Sequence, residues 1–287
     1  MATILDGKAF AAICKESIRQ RVEKLEAMGC KPGLAVVLVG NNPASQVYVR
    51  NKESDCRECG IYSAMYTLPE ETTEEQLLEL LDTLNQDTSV HGVLVQLPVP
   101  KHIDPQKVIE AIDPKKDVDC FHPMNVGYLT QGQPRFAPCT PAGIVRLMEH
   151  YGIDPAGKHC VVVGRSNIVG KPMALLLLQK NGTVTICHSG TKDLKEQTLQ
   201  ADILVSAVGK EGVITADMVK EGAVVIDVAM NRNAAGKLCG DVEFGAVSEK
   251  ASAITPVPGG VGPMTRVMLL ENTLTACCLQ NGMHEFL

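Results

Sequence analysis

No stretch of this chain approaches the roughly 18 consecutive apolar residues that a membrane-spanning helix requires, so no membrane association is expected. Positive charge is not in excess either. Lys and Arg total 27 against 33 Asp and Glu, a net charge of -6. Nucleic acid is therefore not expected as the main partner, because phosphate binding calls for a basic face. The first residues, MATILDGKAF, lack a basic segment followed by an apolar core, so no secretory signal is visible and a cytoplasmic location is expected. Internal repeats and low-complexity segments are also missing. So is a second Cys-x-x-Cys or any His-x-x-x-His pair to accompany Cys56-Arg-Glu-Cys59, and without two further ligands no zinc site is expected there. The eleven cysteines are odd in number and irregular in spacing, which fits reduced thiols rather than a disulfide framework. Cys277 and Cys278, adjacent on a predicted helix, point in different directions.

What the chain does contain is ordinary globular material, 45% hydrophobic and 21% charged, long enough at 287 residues for two domains of ~150 residues each. Strand and helix patterns alternate, which predicts an α/β protein with largely parallel sheets. Phe10, Ile13, Ile18, Val22 and Leu25 recur at near-helical spacing over 8–28. Leu34-Ala-Val-Val-Leu-Val-Gly40 then reads as a buried strand, 43–60 as a helix and 61–68 as a strand. Leu77, Leu80, Leu81 and Leu84 give 73–86 one apolar helical face, and His91-Gly-Val-Leu-Val-Gln-Leu97 is a second buried strand, stopped by Pro98 and Pro100. Residues 113–141 read as an irregular hinge. Thr140-Pro-Ala-Gly143 opens a helix through His150, with Thr140 as the N-cap and Pro141 at the first position. A second series of strands follows near 159–164, 183–188, 202–207, 223–228 and 252–256, and a last helix over about 264–280 is expected to return to the first domain. The expected architecture is a Rossmann-like domain plus a smaller α/β catalytic domain with the active-site cleft between them. The boundaries are 1–139 for the catalytic domain, joined by 268–287, and 140–267 for the dinucleotide domain.

Three groups of residues carry chemistry. Cys160-Val-Val-Val-Gly-Arg-Ser-Asn-Ile-Val-Gly170 is a strand, a glycine turn and a helix start, in which Gly164 permits a tight turn and Gly170 a close helix–strand approach. Its spacing departs from G-x-G-x-x-G, and a purely structural strand–helix turn also fits it. The next strand, Thr183-Val-Thr-Ile-Cys-His-Ser189, ends without the carboxylate that would favour NAD, while Arg165 and Ser189 could hold a 2′-phosphate. Tyr48 and Lys52 share a helix face at i, i+4. A Tyr-x-x-x-Lys pair also serves short-chain dehydrogenases, but there it follows the dinucleotide motif, and here it precedes it in the other predicted domain. Gln96 ends a buried strand at the edge where α/β proteins place ligand groups, and Asp119 can accept a bidentate pair from a 2-amino-pyrimidinone edge. Taken singly, each of these suits a loop polar group as well. Finally, Thr255-Pro-Val-Pro-Gly-Gly-Val-Gly-Pro-Met-Thr265 cannot sustain a helix or strand. It reads either as a stiff connector or as bare amides beside a helix N-terminus, ready for a ligand.

Together, Y-V-R-N-K, V-Q-L-P-V-P, K-D-V-D, F-A-P-C-T-P, V-G-R-S-N-I-V-G-K-P and T-P-V-P-G-G-V-G-P-M-T occur in one order over nearly the whole chain. The set resembles the bifunctional methylenetetrahydrofolate dehydrogenase/cyclohydrolase (FolD) family. The resemblance implies NADP-dependent oxidation of 5,10-methylenetetrahydrofolate, then hydrolysis of the methenyl product to 10-formyltetrahydrofolate, in a cytoplasmic homodimer serving one-carbon metabolism and purine biosynthesis. It implies Lys52 as the catalytic amine, Tyr48 packing on the folate, Gln96 supporting Lys52, and Asp119 binding the pterin. Val95, Leu97, Pro258, Gly259, Gly260, Val261, Gly262, Pro263, Met264 and Thr265 would complete the folate site. Gly164, Arg165, Ser166, Ile168, Gly170, Ser189 and Met230 would hold NADP, and no metal is implied. The chain departs from the pattern at Cys120 and Ala229, where relatives commonly carry Gly, at Met230, where Ile is common, and at Tyr128 and Arg266. A two-domain NADP dehydrogenase of the shikimate or amino-acid type, or a non-catalytic NADP sensor, are the rival readings, and folate binding discriminates against both.

Overall fold

In the computed structural model, which describes residues 1–286, the chain opens with a short strand β1 (Thr3–Ile4) and helix α1 (Gly7–Ala27). The alternation then runs β2 (Gly33–Val39), α2 (Pro43–Glu58), β3 (Tyr62–Leu68), α3 (Glu74–Gln86) and β4 (Gly92–Val95). Every residue of β2 is buried because this strand is central: β3 and β4 flank it in a parallel sheet of order β3-β2-β4. Parallel strands covered on both faces cannot alternate polar with apolar, which is why the run is continuously hydrophobic. Helix α3 presents Leu77, Leu81 and Leu84 to the core. Thr73 starts it through a reciprocal capping box with Gln76, satisfying two amides that the first turn leaves open.

Two short helices, α4 (Pro105–Ala111) and α5 (Pro123–Thr130), follow, then α6 (Cys139–His150). Helix α5 corrects the irregular reading of 113–141. His122 caps it by accepting the Met124 amide, and Pro123 occupies the first turn, where its missing N–H costs nothing. The start of α6 also differs from expectation. It begins at Cys139, so Thr140 lies inside the first turn and its hydroxyl meets Thr265 Oγ1 at 3.0 Å instead of capping.

The remaining elements are β5 (His159–Val163), α7 (Gly170–Gln179), β6 (Thr183–Cys187), α8 (Leu194–Thr198), β7 (Ile203–Ser206) and β8 (Val224–Asp227). A small antiparallel pair β9 (Asn231–Arg232) and β10 (Leu238–Cys239), α9 (Phe244–Lys250), β11 (Ala253–Ile254) and α10 (Val261–Gln280) complete the chain. The larger sheet has the order β1-β11-β8-β7-β5-β6, all parallel. Its core gathers Val161, Val163, Leu204, Val225 and Ile254 beneath α9 and the loops around it.

The chain divides into two compact units, residues 1–12 with 140–265 and residues 13–139 with 266–287. Residues 266–287 group with residues 13–139 and not with the segment that precedes them in sequence. The first twelve residues fall on the other side from the expected 1–139. β11 would otherwise be an open sheet edge. β1 covers it, pairing Thr3 with Ala253 and Ile4 with Ile254.

Candidate active site

Strand order reverses at β5 in the larger sheet: β6 lies on one side and β7, β8 and β11 on the other. In open parallel sheets a ligand crevice forms at such a switch point, outside the carboxyl ends of the strands. The loops after β5, β6 and β8 leave that edge, and they carry Arg165, Ser166 and Ile168, then Ser189, then Met230, all exposed. The two glycines expected at the motif are required by geometry. Gly164 has φ +129, and a Cβ there would run into the Ala207 carbonyl on the neighbouring loop. A Cβ on Gly170 would strike the Gly164 carbonyl, so α7 can start this close to β5 only with glycine. The Ser166 hydroxyl accepts from the Val169 and Gly170 amides at 3.2 and 3.3 Å, closing the turn at the helix N-terminus. Among the described residues Arg165 makes no ion pair, which leaves its guanidinium available to an anion.

Below these loops lies a carboxylate pair with no role in the sequence reading. Asp241, fully buried, accepts from Ser206 Oγ (2.9 Å), the amides of Val208 (2.7 Å), Gly209 (3.3 Å) and Lys210 (2.8 Å), and Asn231 Nδ2 (3.1 Å). Asp227, at the end of β8, accepts in turn from the amides of Asp241 and Val242. The available sequence signal is an acid ending an apolar run at Val224-Val-Ile-Asp227; Asp241 carries no such signal. A buried carboxylate must find donors, and the loops at a sheet edge supply them. Burial raises the Asp227 pKa to about 6, outweighing the amide bonds from Asp241, Val242 and Ala229 that favour its charged form. A carboxyl whose folded pKa lies above its ordinary 3.8 contributes stability that falls as pH rises from about 4 to about 6. Relative to an Asp227→Asn variant, the unmodified chain should lose stability across that window. Urea midpoints for the two proteins at both ends of the window check this, and a pH-independent difference would contradict it.

In the other unit, Lys52 lies on α2 and Gln96 just past the end of β4, where the Gln96 amide still pairs with Val37 O. Lys52 Nζ donates to Gln96 Oε1 at 3.0 Å, and Gln96 Nε2 donates to Leu97 O at 2.8 Å, so the carboxamide is held with its oxygen toward the amine. Asp119 is the counter-charge. Burial lowers the Lys52 pKa, with the charge of Asp119 the main opposing influence, and burial raises the Asp119 pKa against the pull of Lys52. Burial thus disfavours the charged form of each group, and an amine of lowered pKa gives up its proton more readily than a free lysine. Tyr48 stands one helical turn before Lys52 and is exposed.

Asp119 is positioned by its neighbours. The buried Asp117 carboxylate accepts from the Phe121 and His122 amides and from Asn125 Nδ2. Val93 bridges Asp117 in parallel pairing, which ties this turn to β4. Cys120 has φ +61, in the left-handed region that favours glycine. Its thiol is buried and reaches Phe136 O at 3.2 Å. Val95 is buried and Leu97 half-buried beside the pair. In the first-described unit, the run from Pro258 to Thr265 turns through Gly259 (φ +110) and enters α10 at Val261, so the helix takes in the second half of the predicted loop.

The cysteine pairs behave differently from one another. Cys56 and Cys59 are buried thiols, and burial pushes both up to about 12, away from the thiolate that metal or redox chemistry uses. Cys30, His91 and Cys277 come together instead, with ligand atoms within 4.8 Å of one another. His91 Nδ1 already takes the Gly33 amide proton at 3.1 Å. A ligating imidazole normally donates its second nitrogen's proton outward. This cluster therefore packs as buried thiols around a neutral histidine.

A switch-point crevice in one unit and a desolvated lysine between a carboxamide and a carboxylate in the other define a dinucleotide-binding α/β protein with an acid–base centre. The chain belongs to the tetrahydrofolate dehydrogenase/cyclohydrolase family: residues 5–119 match its catalytic domain and residues 138–281 its NAD(P)-binding domain. The bifunctional protein FolD of Ruminiclostridium cellulolyticum is 59% identical over 282 residues, covering 98% of this chain and 99% of that protein. The crystal structure of the bifunctional FolD methylenetetrahydrofolate dehydrogenase/cyclohydrolase from Campylobacter jejuni matches with a TM-score of 0.96 at 52% identity, covering 98% of this chain and all of that one. The FolD of Trypanosoma brucei, complexed with NADP cofactor and an inhibitor, matches with a TM-score of 0.93 at 38% identity, covering 98% of both chains.

Proposed function

We infer that this chain oxidises 5,10-methylenetetrahydrofolate with NADP and then hydrolyses the methenyl product to 10-formyltetrahydrofolate. The observation that carries this reading, given the family, is the Lys52 amine held by Gln96 beside Asp119 with its pKa lowered by burial. NADP supplies the hydride acceptor, C4 of its nicotinamide ring. The protein's part in that first step is alignment of the two reactants.

The product of hydride loss is a cation, and a permanently charged ammonium beside it would be unfavourable. A neutral Lys52 avoids that repulsion and accepts a proton from the water as it adds to the methenyl carbon. The ring C–N bond then breaks with a proton delivered to the departing nitrogen, leaving the formyl group on the other nitrogen. Gln96 orients the amine, Asp119 accepts the amino-pyrimidinone edge of the pterin, and Tyr48 packs on the folate. Val95, Leu97 and Pro258 to Thr265 are assigned to folate contacts, and Gly164, Arg165, Ser166, Ile168, Gly170, Ser189 and Met230 to NADP. A homodimer, a cytoplasmic location and a contribution to purine synthesis rest on the family resemblance. Among the described residues no helix is long and apolar enough to cross a membrane.

The test follows reduced-cofactor formation from 5,10-methylenetetrahydrofolate with NADP⁺ and NAD⁺ in parallel, and the decay of added methenyltetrahydrofolate. NADP⁺-dependent turnover with accelerated decay is expected, and neither with either cofactor refutes the reading. Arg165→Ala should raise the NADP⁺ KM by about 10- to 100-fold, the worth of one charge-assisted bond to a phosphate, and leave the NAD⁺ KM nearly unchanged. Equal effects on both cofactors would remove Arg165 from 2′-phosphate recognition.

A further inference from the structure

A cavity of about 540 Å³ opens in the Lys52-bearing unit and shares no lining residue with Lys52, Gln96 or Asp119. Its size is that of small-molecule sites in general. Its wall is unlike the rest of the molecule. Lys115, Lys116, Arg135 and His91 line it together with Gln280 and Asn281, and no carboxylate does, in a chain whose net charge is -6.

The three cations, Lys115, Lys116 and Arg135, are set into the wall without ion pairs among the described residues. Lys116 is buried, and its amine donates to the carbonyls of Leu84 (2.9 Å) and Asp87 (2.7 Å), with no ion pair among the described residues. Burial lowers its pKa, the mark of a charge short of a counter-ion. Lys115 and Arg135 form no ion pair among the described residues. The Arg135 guanidinium lies over the Tyr128 ring, 5.7 Å from its centroid, which holds the plane and leaves its N–H edge to a ligand. Gln280 Nε2 ties the wall together by donating to the carbonyls of His91 and Lys115. The acids that act on Lys116 are Asp87 and Asp113, and both carboxylates are engaged elsewhere: Asp87 with the amide and hydroxyl of Ser89, Asp113 with the Lys115 amide.

We propose that this cavity binds a small phosphorylated anion. The Lys115 ammonium and the Arg135 guanidinium fork supply the charged donors, and together they suit the several oxygens of a phosphoryl group better than those of a single carboxylate. The site is independent of the reaction assigned above.

Inorganic pyrophosphate is the probe, titrated calorimetrically into the full chain with NADP⁺ saturating so that the dinucleotide loops are blocked. One saturable site is expected, weakened at least tenfold in Lys115→Gln/Arg135→Gln, with citrate binding more weakly than pyrophosphate. Absence of saturable binding, or equal binding by the double variant, overturns the proposal, and tighter binding of citrate overturns the phosphoryl assignment. Should the double variant not fold, amide exchange in the unmodified chain decides. Slower exchange at residues 115–118 and 279–281 on adding pyrophosphate supports the site, and unchanged exchange there rejects it.

Discussion

Replacing Lys52 with methionine should lower the cyclohydrolase rate by roughly 10²- to 10⁴-fold, the usual worth of a positioned acid–base group. Dehydrogenase turnover should fall far less. Hydride transfer needs alignment but no proton from Lys52, and methionine keeps much of the length and apolar volume of the lysine stem. Gln96 Oε1 would lose its partner at 3.0 Å, and Asp119 would lose the cation that opposes its raised pKa. Folate affinity is therefore expected to weaken modestly, and an Asp119→Ala variant to weaken it more, with NADP⁺ binding unchanged in both. Parallel assays of methenyltetrahydrofolate decay and NADPH formation decide the matter. Equal loss of the two activities would turn Lys52 into a general positioning group, and equal retention would remove it from the proton path.

The second large effect is expected far from any substrate contact. Asp241→Ala should cost about 3–5 kcal/mol of stability, because it leaves several buried donors facing no acceptor. The five donors come from three segments: Ser206 at the end of β7, the loop through Val208, Gly209 and Lys210, and Asn231 after β8. One side chain thus holds the loop whose Ala207 carbonyl abuts Gly164. The variant should consequently bind NADP⁺ more weakly while the Lys52 unit keeps its folate affinity. Urea denaturation followed separately for the two units, with cofactor titration, measures both. Unchanged stability together with unchanged NADP⁺ affinity would mean that other contacts hold this loop.

Much of this molecule is local and therefore legible along the chain. Continuous apolar runs such as Leu34–Val39 and Val161–Val163 are buried parallel strands because such a strand is covered on both faces, and a run of that kind announces itself. The capping box at Thr73 and the glycine turn at Gly164 are encoded within a few residues. Tyr48, Lys52, Gln96 and Asp119 could be nominated by residue type and by order along the chain. The helix Pro123–Thr130 is not legible along the chain, because Pro114, Pro123, Gly127 and Gly132 obscure an eight-residue element.

What only the tertiary structure decided depends on residues distant in sequence. The pairing of β1 with β11 spans almost the whole chain, and no local pattern tells a two-residue strand which edge it will cover. The Lys52–Gln96 bond, the opposed shifts of Lys52 and Asp119, and the Asp227–Asp241 pair exist only once separate segments exclude water together, since desolvation belongs to the packed surroundings and not to the residue. The same holds for the cationic cavity, where Lys115, Lys116 and Arg135 meet Gln280 from the far end of the chain. By itself the sequence settled the residue types, the alternation of the main strands and helices, and the family. Burial, which sets the charge of a side chain and the partners left to it, was decided by the fold.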